Sequence, residues 1–204
     1  VCLSILRNVS AIPGPAGTRM MLALCSPSIR TTCWPLVRRL QDCIRLQVMP
    51  LINRSIHTAD KRVSHSWSMA VPADRIWWGL TDPEALPHWL GKLISGKFVV
   101  GNSVTIQHAE GYFCTSLIQE CEPERILSMT WEFPDELPSH VRIVLTPAGE
   151  STHLALRHGG LGNAAVDYLT GWNTHLLYLE TLLLGQPRPM ADFWSTYDGL
   201  TDSR

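Results

Sequence analysis

The sequence LSMTWEF, residues 127–133, alternates apolar and polar side chains along its whole length. Successive side chains of a β-strand point to opposite faces, so this pattern predicts a strand with one buried face. The same period of two recurs at residues 141–145 and 154–158, and turn-forming residues separate these segments. Three such strands in a row favour an antiparallel meander with one face against a core.

Further strands are predicted upstream. Residues 63–71 alternate well enough for a first strand, and residues 112–121 form another. Segments 97–100 and 103–108 flank Gly101-Asn102, which predicts two short strands joined by a tight turn.

The helical signals are as clear as the strand signals. Pro72 suits a first helical turn, which predicts a helix through Leu80 and a second short helix ending around Trp89. A long helix is predicted from about residue 163 to Leu184, with Gly185 and two prolines after it. Its apolar residues recur at helical spacing: Ala165, Tyr168, Leu169, Trp172, Leu176, Leu179 and Leu183.

Three separated segments of the chain carry a family resemblance. They are residues 70–91 with Ala-Val-Pro-Ala-Asp-Arg-Ile-Trp at their start, residues 120–131 around Pro123, and residues 158–183 with Gly171-Trp172. Together they resemble the activator-of-heat-shock-protein-90-ATPase-homologue-like family, a branch of the SRPBCC (START and birch-pollen-allergen-like) superfamily. The resemblance covers about residues 63–185 and implies an α+β helix-grip fold, in which a curved antiparallel sheet wraps round a long C-terminal helix with two short helices. It also implies an apolar ligand, and it carries no catalytic residue over to this chain.

Charge divides the chain into regions. Residues 1–62 hold nine of the 17 basic and two of the 18 acidic residues, whereas residues 63–204 hold eight and 16. We predict a basic leader over 1–62, disordered or with one short helix at 35–47, a helix-grip domain over 63–185, and a C-terminal tail over 186–204. Residues 1–48 are expected to be an upstream extension or a fragment's flank, and mitochondrial targeting is a less favoured interpretation of the same arginine-rich composition. The net charge of −8 after residue 62 argues against nucleic-acid binding by the domain.

Cysteine and hydropathy patterns exclude several classes of protein. No cysteine–histidine spacing typical of zinc appears, so no metal or other cofactor is predicted. Cys114 and Cys121 lie too far apart on one predicted strand for a disulfide. No apolar run approaches the ~20 residues of a membrane-spanning helix, and we expect a cytoplasmic protein.

The predicted inner face defines a candidate ligand site. Aromatic rings with a few polar atoms in an apolar space are typical of small-molecule pockets, although the same residues also fill ordinary cores. The candidate lining residues are Trp89, Met129, Trp131, Ile143, Leu145, Leu156, His158, Tyr168, Trp172, His175, Leu176 and Leu179.

Three functions stay open at this point. The first is binding of an apolar or amphipathic small molecule, and the second is a cyclase- or hydratase-like enzyme in the same cavity, using His158 or His175. The third is a chaperone- or partner-binding module with a filled core and an exposed apolar patch. The first is preferred, an enzyme is less expected, and a homodimer would suit a small domain with an exposed sheet.

Overall fold

The computed structural model describes residues 51–202, so the predicted leader helix at 35–47 lies outside the described residues. One eight-stranded antiparallel sheet dominates them, in the order β1-β2-β8-β7-β6-β5-β4-β3. The strands are β1 Leu51–His57, β2 Arg62–Met69, β3 Lys92–Ser95, β4 Ser103–Ala109, β5 Tyr112–Glu122, β6 Ile126–Trp131, β7 Ser139–Ala148 and β8 Ser151–Gly159.

Three α-helices accompany the sheet. They are α1 Ala73–Thr81, the long α2 Ala165–Leu183 and α3 Phe193–Asp202. Short 3-10 helices lie at Leu86–His88, Gly162–Ala164 and Met190–Asp192. A curved antiparallel sheet with a long C-terminal helix is the helix-grip α+β fold, as predicted.

The meander forms where the alternation predicts it. In β6, β7 and β8 alternate positions are buried, among them Leu127, Met129, Val141, Ile143, Leu154 and Leu156. Most of the positions between them are more exposed, although Ser128 is buried as well. The β7–β8 register pairs Ile143 with Leu156 and Leu145 with Leu154, which places four aliphatic side chains on the inner face. Gly149 has φ +67° in the tight turn between the two strands, a conformation that glycine adopts without strain.

Helix α2 is buried on more than one side. Its predicted apolar stripe is buried, but so are Asn173, Thr174, Tyr178 and Glu180. The sheet, α1 and α3 all pack against α2, and this explains the additional buried positions. At Gly79 of α1 an added Cβ would lie 2.7 Å from a methyl group of Leu179, so the two helices approach closely.

Several elements differ from the prediction. Residues 97–100 form a loop, and the edge strand β3 lies at Lys92–Ser95 instead. Val99 and Val100 are β-branched but more than half exposed, so their composition misidentified the strand. The second short helix is a single 3-10 turn at Leu86–His88.

The sheet also begins earlier than predicted. Strand β1 lies within the region predicted as leader and pairs antiparallel with β2. At the other end, the region predicted as a C-terminal tail packs on α2, with Phe193 and Tyr197 of α3 buried. Among the described residues, no helix is long and apolar enough to cross a membrane.

Candidate functional site

His158, at the end of β8, occupies the centre of a buried hydrogen-bond chain. Its Nδ1 accepts a hydrogen bond from Trp172 Nε1 at 2.9 Å, and its Nε2 lies 2.8 Å from Ser139 Oγ. Ser139 Oγ in turn donates to the carbonyl oxygen of Trp131 at 3.0 Å. Strands β6, β7 and β8 and helix α2 each contribute one member, so the meander itself assembles this chain.

The bonding pattern fixes the tautomer of His158. An indole N–H can only donate, so Nδ1 must be the unprotonated nitrogen and Nε2 must carry the proton. Burial lowers the pKa of His158 to about 3, which agrees with a neutral ring. Both ring nitrogens are therefore occupied.

Aromatic rings surround this chain closely. Tyr168 meets the His158 ring edge-on at 4.6 Å between centroids, and its hydroxyl donates to Glu136 Oε2 at 2.5 Å. Trp131 packs against Trp172 at 5.2 Å between centroids. The predicted lining residues thus contact one another across the gap between sheet and helix.

His175 belongs to a second group of rings on the same helix. Its Nδ1 lies 2.5 Å from the carbonyl oxygen of Trp89, and burial lowers its pKa to about 4. Phe193 of α3 covers it at 4.6 Å between centroids, and Trp172 packs on its other side at 5.8 Å. Since Trp172 also contacts His158, the two histidines named for the enzyme alternative are packed against the same indole.

Trp89 is held in place through both its indole and its backbone carbonyl. Trp89 Nε1 donates to the carbonyl oxygen of Gly79 at 2.8 Å, and the backbone carbonyl of Trp89 accepts from His175. The remaining predicted lining residues are aliphatic and at most 4% exposed: Met129, Ile143, Leu145, Leu156, Leu176 and Leu179.

The pattern did not single out His108, which joins these rings. The His108 ring lies 5.5 Å from Trp131, 5.1 Å from Phe133 and 6.5 Å from His175 between centroids. Burial lowers the pKa of His108 to about 3. His108 lies on β4 and His175 on α2, so only the strand order brings them together; sequence spacing carries no such signal.

The buried ring nitrogens without a hydrogen-bond partner among the described residues include His108 Nε2 and Trp131 Nε1, on adjacent rings. His65 Nδ1, on β2, is another. A buried polar atom without a partner is uncommon and calls for an explanation. A ligand atom in contact with the two rings would provide one.

An opening of about 170 Å³ leads from the surface towards this cluster. Loop residues 135–137 and 160–164 form its walls, and Ser139 and Tyr168 lie at its inner side. Both of these residues also contact His158, so the opening borders the buried hydrogen-bond chain. Ligand pockets for drug-sized molecules are larger, at about 300–1,000 Å³, so this opening fits only part of such a molecule.

Two further groups bear on chemistry at the site. Glu180 of α2 is 5% exposed, and burial raises its pKa to about 7. Cys114 is buried, and burial raises the pKa of its thiol to about 12, so it is a poor nucleophile. No group of three His, Cys, Asp or Glu side chains arranged to hold a metal occurs in the part of the chain that the structure describes.

Several solved structures share this fold. CalU16 from Micromonospora echinospora matches with a TM-score of 0.57 and 23% identity over 74% of this chain and 93% of that chain. DynU16, a protein in the dynemicin biosynthetic locus, matches with a TM-score of 0.57 and 26% identity, over 63% of this chain but only 49% of its own. A Bordetella parapertussis protein matches with a TM-score of 0.56 and 26% identity over 74% and 89%.

A search of curated proteins finds no match. A family model does match, under the description "Activator of Hsp90 ATPase homolog 1-like protein", over residues 70–183. That range runs from the entry to α1 to the end of α2. It contains the aromatic cluster formed by His108, Trp131, Phe133, His158, Tyr168, Trp172 and His175. The chain therefore belongs to the Activator of Hsp90 ATPase homolog 1-like family of the SRPBCC superfamily.

Proposed function

We propose that this protein binds an apolar or amphipathic small molecule between the inner face of the sheet and α2. The superfamily is generally ligand-binding, which supports the proposal that this chain binds a ligand. The observation that supports a site between the sheet and α2 is the pair of buried nitrogens, His108 Nε2 and Trp131 Nε1, among aromatic rings.

The chemistry of this pair defines the ligand class. The Trp131 indole N–H is a donor only, so its ligand partner must be an acceptor such as a carbonyl or hydroxyl oxygen. The rings around it favour a flat apolar body. An aromatic or polycyclic molecule with one acceptor oxygen fits both demands. Entry occurs beside Tyr168, where the opening borders the cluster.

A matched pair of probes tests this assignment. 2-Acetylnaphthalene has a carbonyl acceptor, and 2-ethylnaphthalene has nearly the same shape without it. Titration into the full chain, followed by tryptophan fluorescence and by the indole ¹⁵N–¹H resonances, should show tighter binding of the ketone and a shift of the Trp131 signal. A hydrogen bond to a neutral partner is worth about 1 kcal/mol, so the preference should be about fivefold.

The Trp131→Phe variant keeps a ring and removes the donor, so it should abolish the preference for the ketone. Trp194→Phe is the control, because Trp194 lies on α3 and packs against Phe193 and Tyr197. Equal binding of the two probes to the wild type, or failure of both to bind, would contradict the proposal.

His158 gives the enzyme alternative no support, because both of its ring nitrogens are occupied. His175 donates from Nδ1 to the Trp89 carbonyl, so its Nε2 keeps a lone pair, and the ring packs against Trp172 and Phe193. A general base needs a free lone pair within reach of its substrate, so His175 is the one of these two residues that the enzyme alternative can use.

Partner binding is a second candidate because the surface has an apolar patch. Five large apolar residues of β3, β5 and the loop between β3 and β4 are 37–57% exposed: Ile94, Val99, Val100, Phe113 and Leu117. Such a patch can mark a protein interface, including one between two copies of this chain. Sedimentation velocity tests it: a dimer that Leu117→Asp converts to a monomer would support self-association, and a wild-type monomer would exclude it.

A further inference from the structure

The outer face of the sheet has a concave opening at its β1 edge. Its volume is about 250 Å³, larger than the opening beside Tyr168. Three strands contribute alternate, outward-facing residues to it: β1 gives Asn53, Ser55 and His57, β2 gives Arg62, Ser64 and Ser66, and β8 gives His153, Ala155 and Arg157. It therefore lies on the opposite face of the sheet from the aromatic cluster.

The register builds this opening as a regular grid. Ser55 pairs with Ser64, and Ser64 pairs with Arg157 across the next ladder. Neighbouring strands lie about 4.8 Å apart, so these three side chains stand in one row within reach of a single small ligand.

The charge of the opening differs from that of the domain. None of its lining residues is an aspartate or glutamate, and two are arginines. By contrast, residues 63–204 hold 16 acidic and eight basic residues. Guanidinium groups, hydroxyls and an amide can all donate hydrogen bonds to an oxyanion. The hydroxyls of Ser66 and Ser55 already bond the Nε2 atoms of His153 and His57, which leaves Ser64 as the serine for such a ligand.

The two arginines are only partly neutralised. Arg62 Nη1 lies 3.1 Å from Asp60 Oδ2, but its Nε is buried and has no acceptor among the described residues. Arg157 is exposed and makes no ion pair within the described part of the chain. By comparison, Arg142 lies on β7 directly opposite Arg157 in the β7–β8 register, and its Nη1 forms an ion pair with Glu120 Oε1 at 2.6 Å. Arg157 thus brings an unpaired guanidinium to the opening, and Arg62, which also lines it, has one buried donor without an acceptor.

We propose that this opening is a binding site for a small phosphate-type anion. Arg157 provides a guanidinium facing the anion, Arg62 Nε donates one hydrogen bond, and Ser64 donates another. The ligand is inorganic phosphate or the phosphate group of a monoester, because both present oxygens to the same donors.

The test is an NMR titration of the full chain with inorganic phosphate and, separately, with phenyl phosphate. Sodium chloride of equal ionic strength is the reference, since screening alone must be subtracted. We expect saturable shifts confined to residues 53–57, 62–66 and 153–157. Tighter binding of phenyl phosphate would identify a monoester as the natural ligand, and tighter binding of phosphate would identify the free anion.

Three variants separate a built site from general charge attraction. Arg157→Gln should weaken binding at least tenfold. Arg62→Lys keeps the charge but loses the Nε donor, so it should also weaken binding several-fold, whereas the control Arg188→Gln, on an exposed segment after α2, should change nothing. Shifts no larger than those with chloride, or equal loss in all three variants, would overturn the proposal.

Discussion

Replacement of Ser139 by alanine tests whether the buried chain around His158 holds the sheet and helix together. The hydroxyl accepts from His158 Nε2 at 2.8 Å and donates to the Trp131 carbonyl at 3.0 Å. Ser139 is 7% exposed and His158 is fully buried, so the His158 Nε2–H would lose its acceptor in a buried position.

The expected loss can be worked from those contacts. A buried donor left without an acceptor costs about 1–3 kcal/mol, and here the donor is His158 Nε2–H. We therefore expect Ser139→Ala to lower the free energy of unfolding by about 2 kcal/mol. For a chain of this size that corresponds to roughly 4–8 °C in the melting temperature.

Urea unfolding at pH 7.5 measures this, with the midpoint compared at unchanged slope. Ser151→Ala is the matched control, because the Ser151 hydroxyl makes one exposed hydrogen bond in a turn and its loss should stay within about 0.5 kcal/mol. The ring ¹⁵N shifts of His158 should also show the tautomer protonated at Nε2. Equal midpoints for both variants, or a ring protonated at Nδ1, would refute the reasoning.

Three other predictions concern stability. Burial raises the pKa of Glu180 to about 7 from an ordinary 4.5, so the folded state loses stability as the pH rises between these values. Glu180→Gln should therefore be more stable than wild type by about 1–3 kcal/mol at pH 8 and no more stable at pH 4. Equal unfolding midpoints at pH 8 would contradict this. Burial lowers the pKa of His65 to about 4, and it also lowers the pKa values of His108, His158 and His175. The stability that these neutral rings contribute is complete above pH 6.5 and is lost as the pH falls towards 4. An unfolding midpoint that stays constant between pH 6.5 and 4.5 would be inconsistent with neutral buried rings. Gly79→Ala should lower the free energy of unfolding by about 1–3 kcal/mol, because the added Cβ would meet Leu179. In the same urea unfolding assay, Gly199→Ala on α3 should be neutral or stabilising, because its added Cβ meets nothing within 4 Å.

The sequence was sufficient for the main elements of the fold. Strict alternation in residues 127–133 predicts β6, because a one-residue slip would place every apolar side chain in water. Helical spacing predicts α2 to within two residues at each end. Both signals are periodic patterns of apolar residues, and such a pattern can be recognised without knowing what the element packs against.

Elements with weak periodicity were not predictable in this way. Strand β1 lies in a polar, basic stretch whose composition does not indicate a strand, and it is the pairing with β2 that makes it one. The burial of Glu180 does not follow from the single apolar stripe predicted for α2, because α2 packs on several sides. The location of His108 depends on β4 lying opposite α2, which is a property of strand order.

The most direct test of the proposed function is native mass spectrometry of the full chain purified gently from its own host, then again after incubation with 2-acetylnaphthalene. We predict a bound small organic molecule that is lost on denaturation, and its replacement by the ketone. The mass of the bare chain in both samples would contradict a ligand site between the sheet and α2.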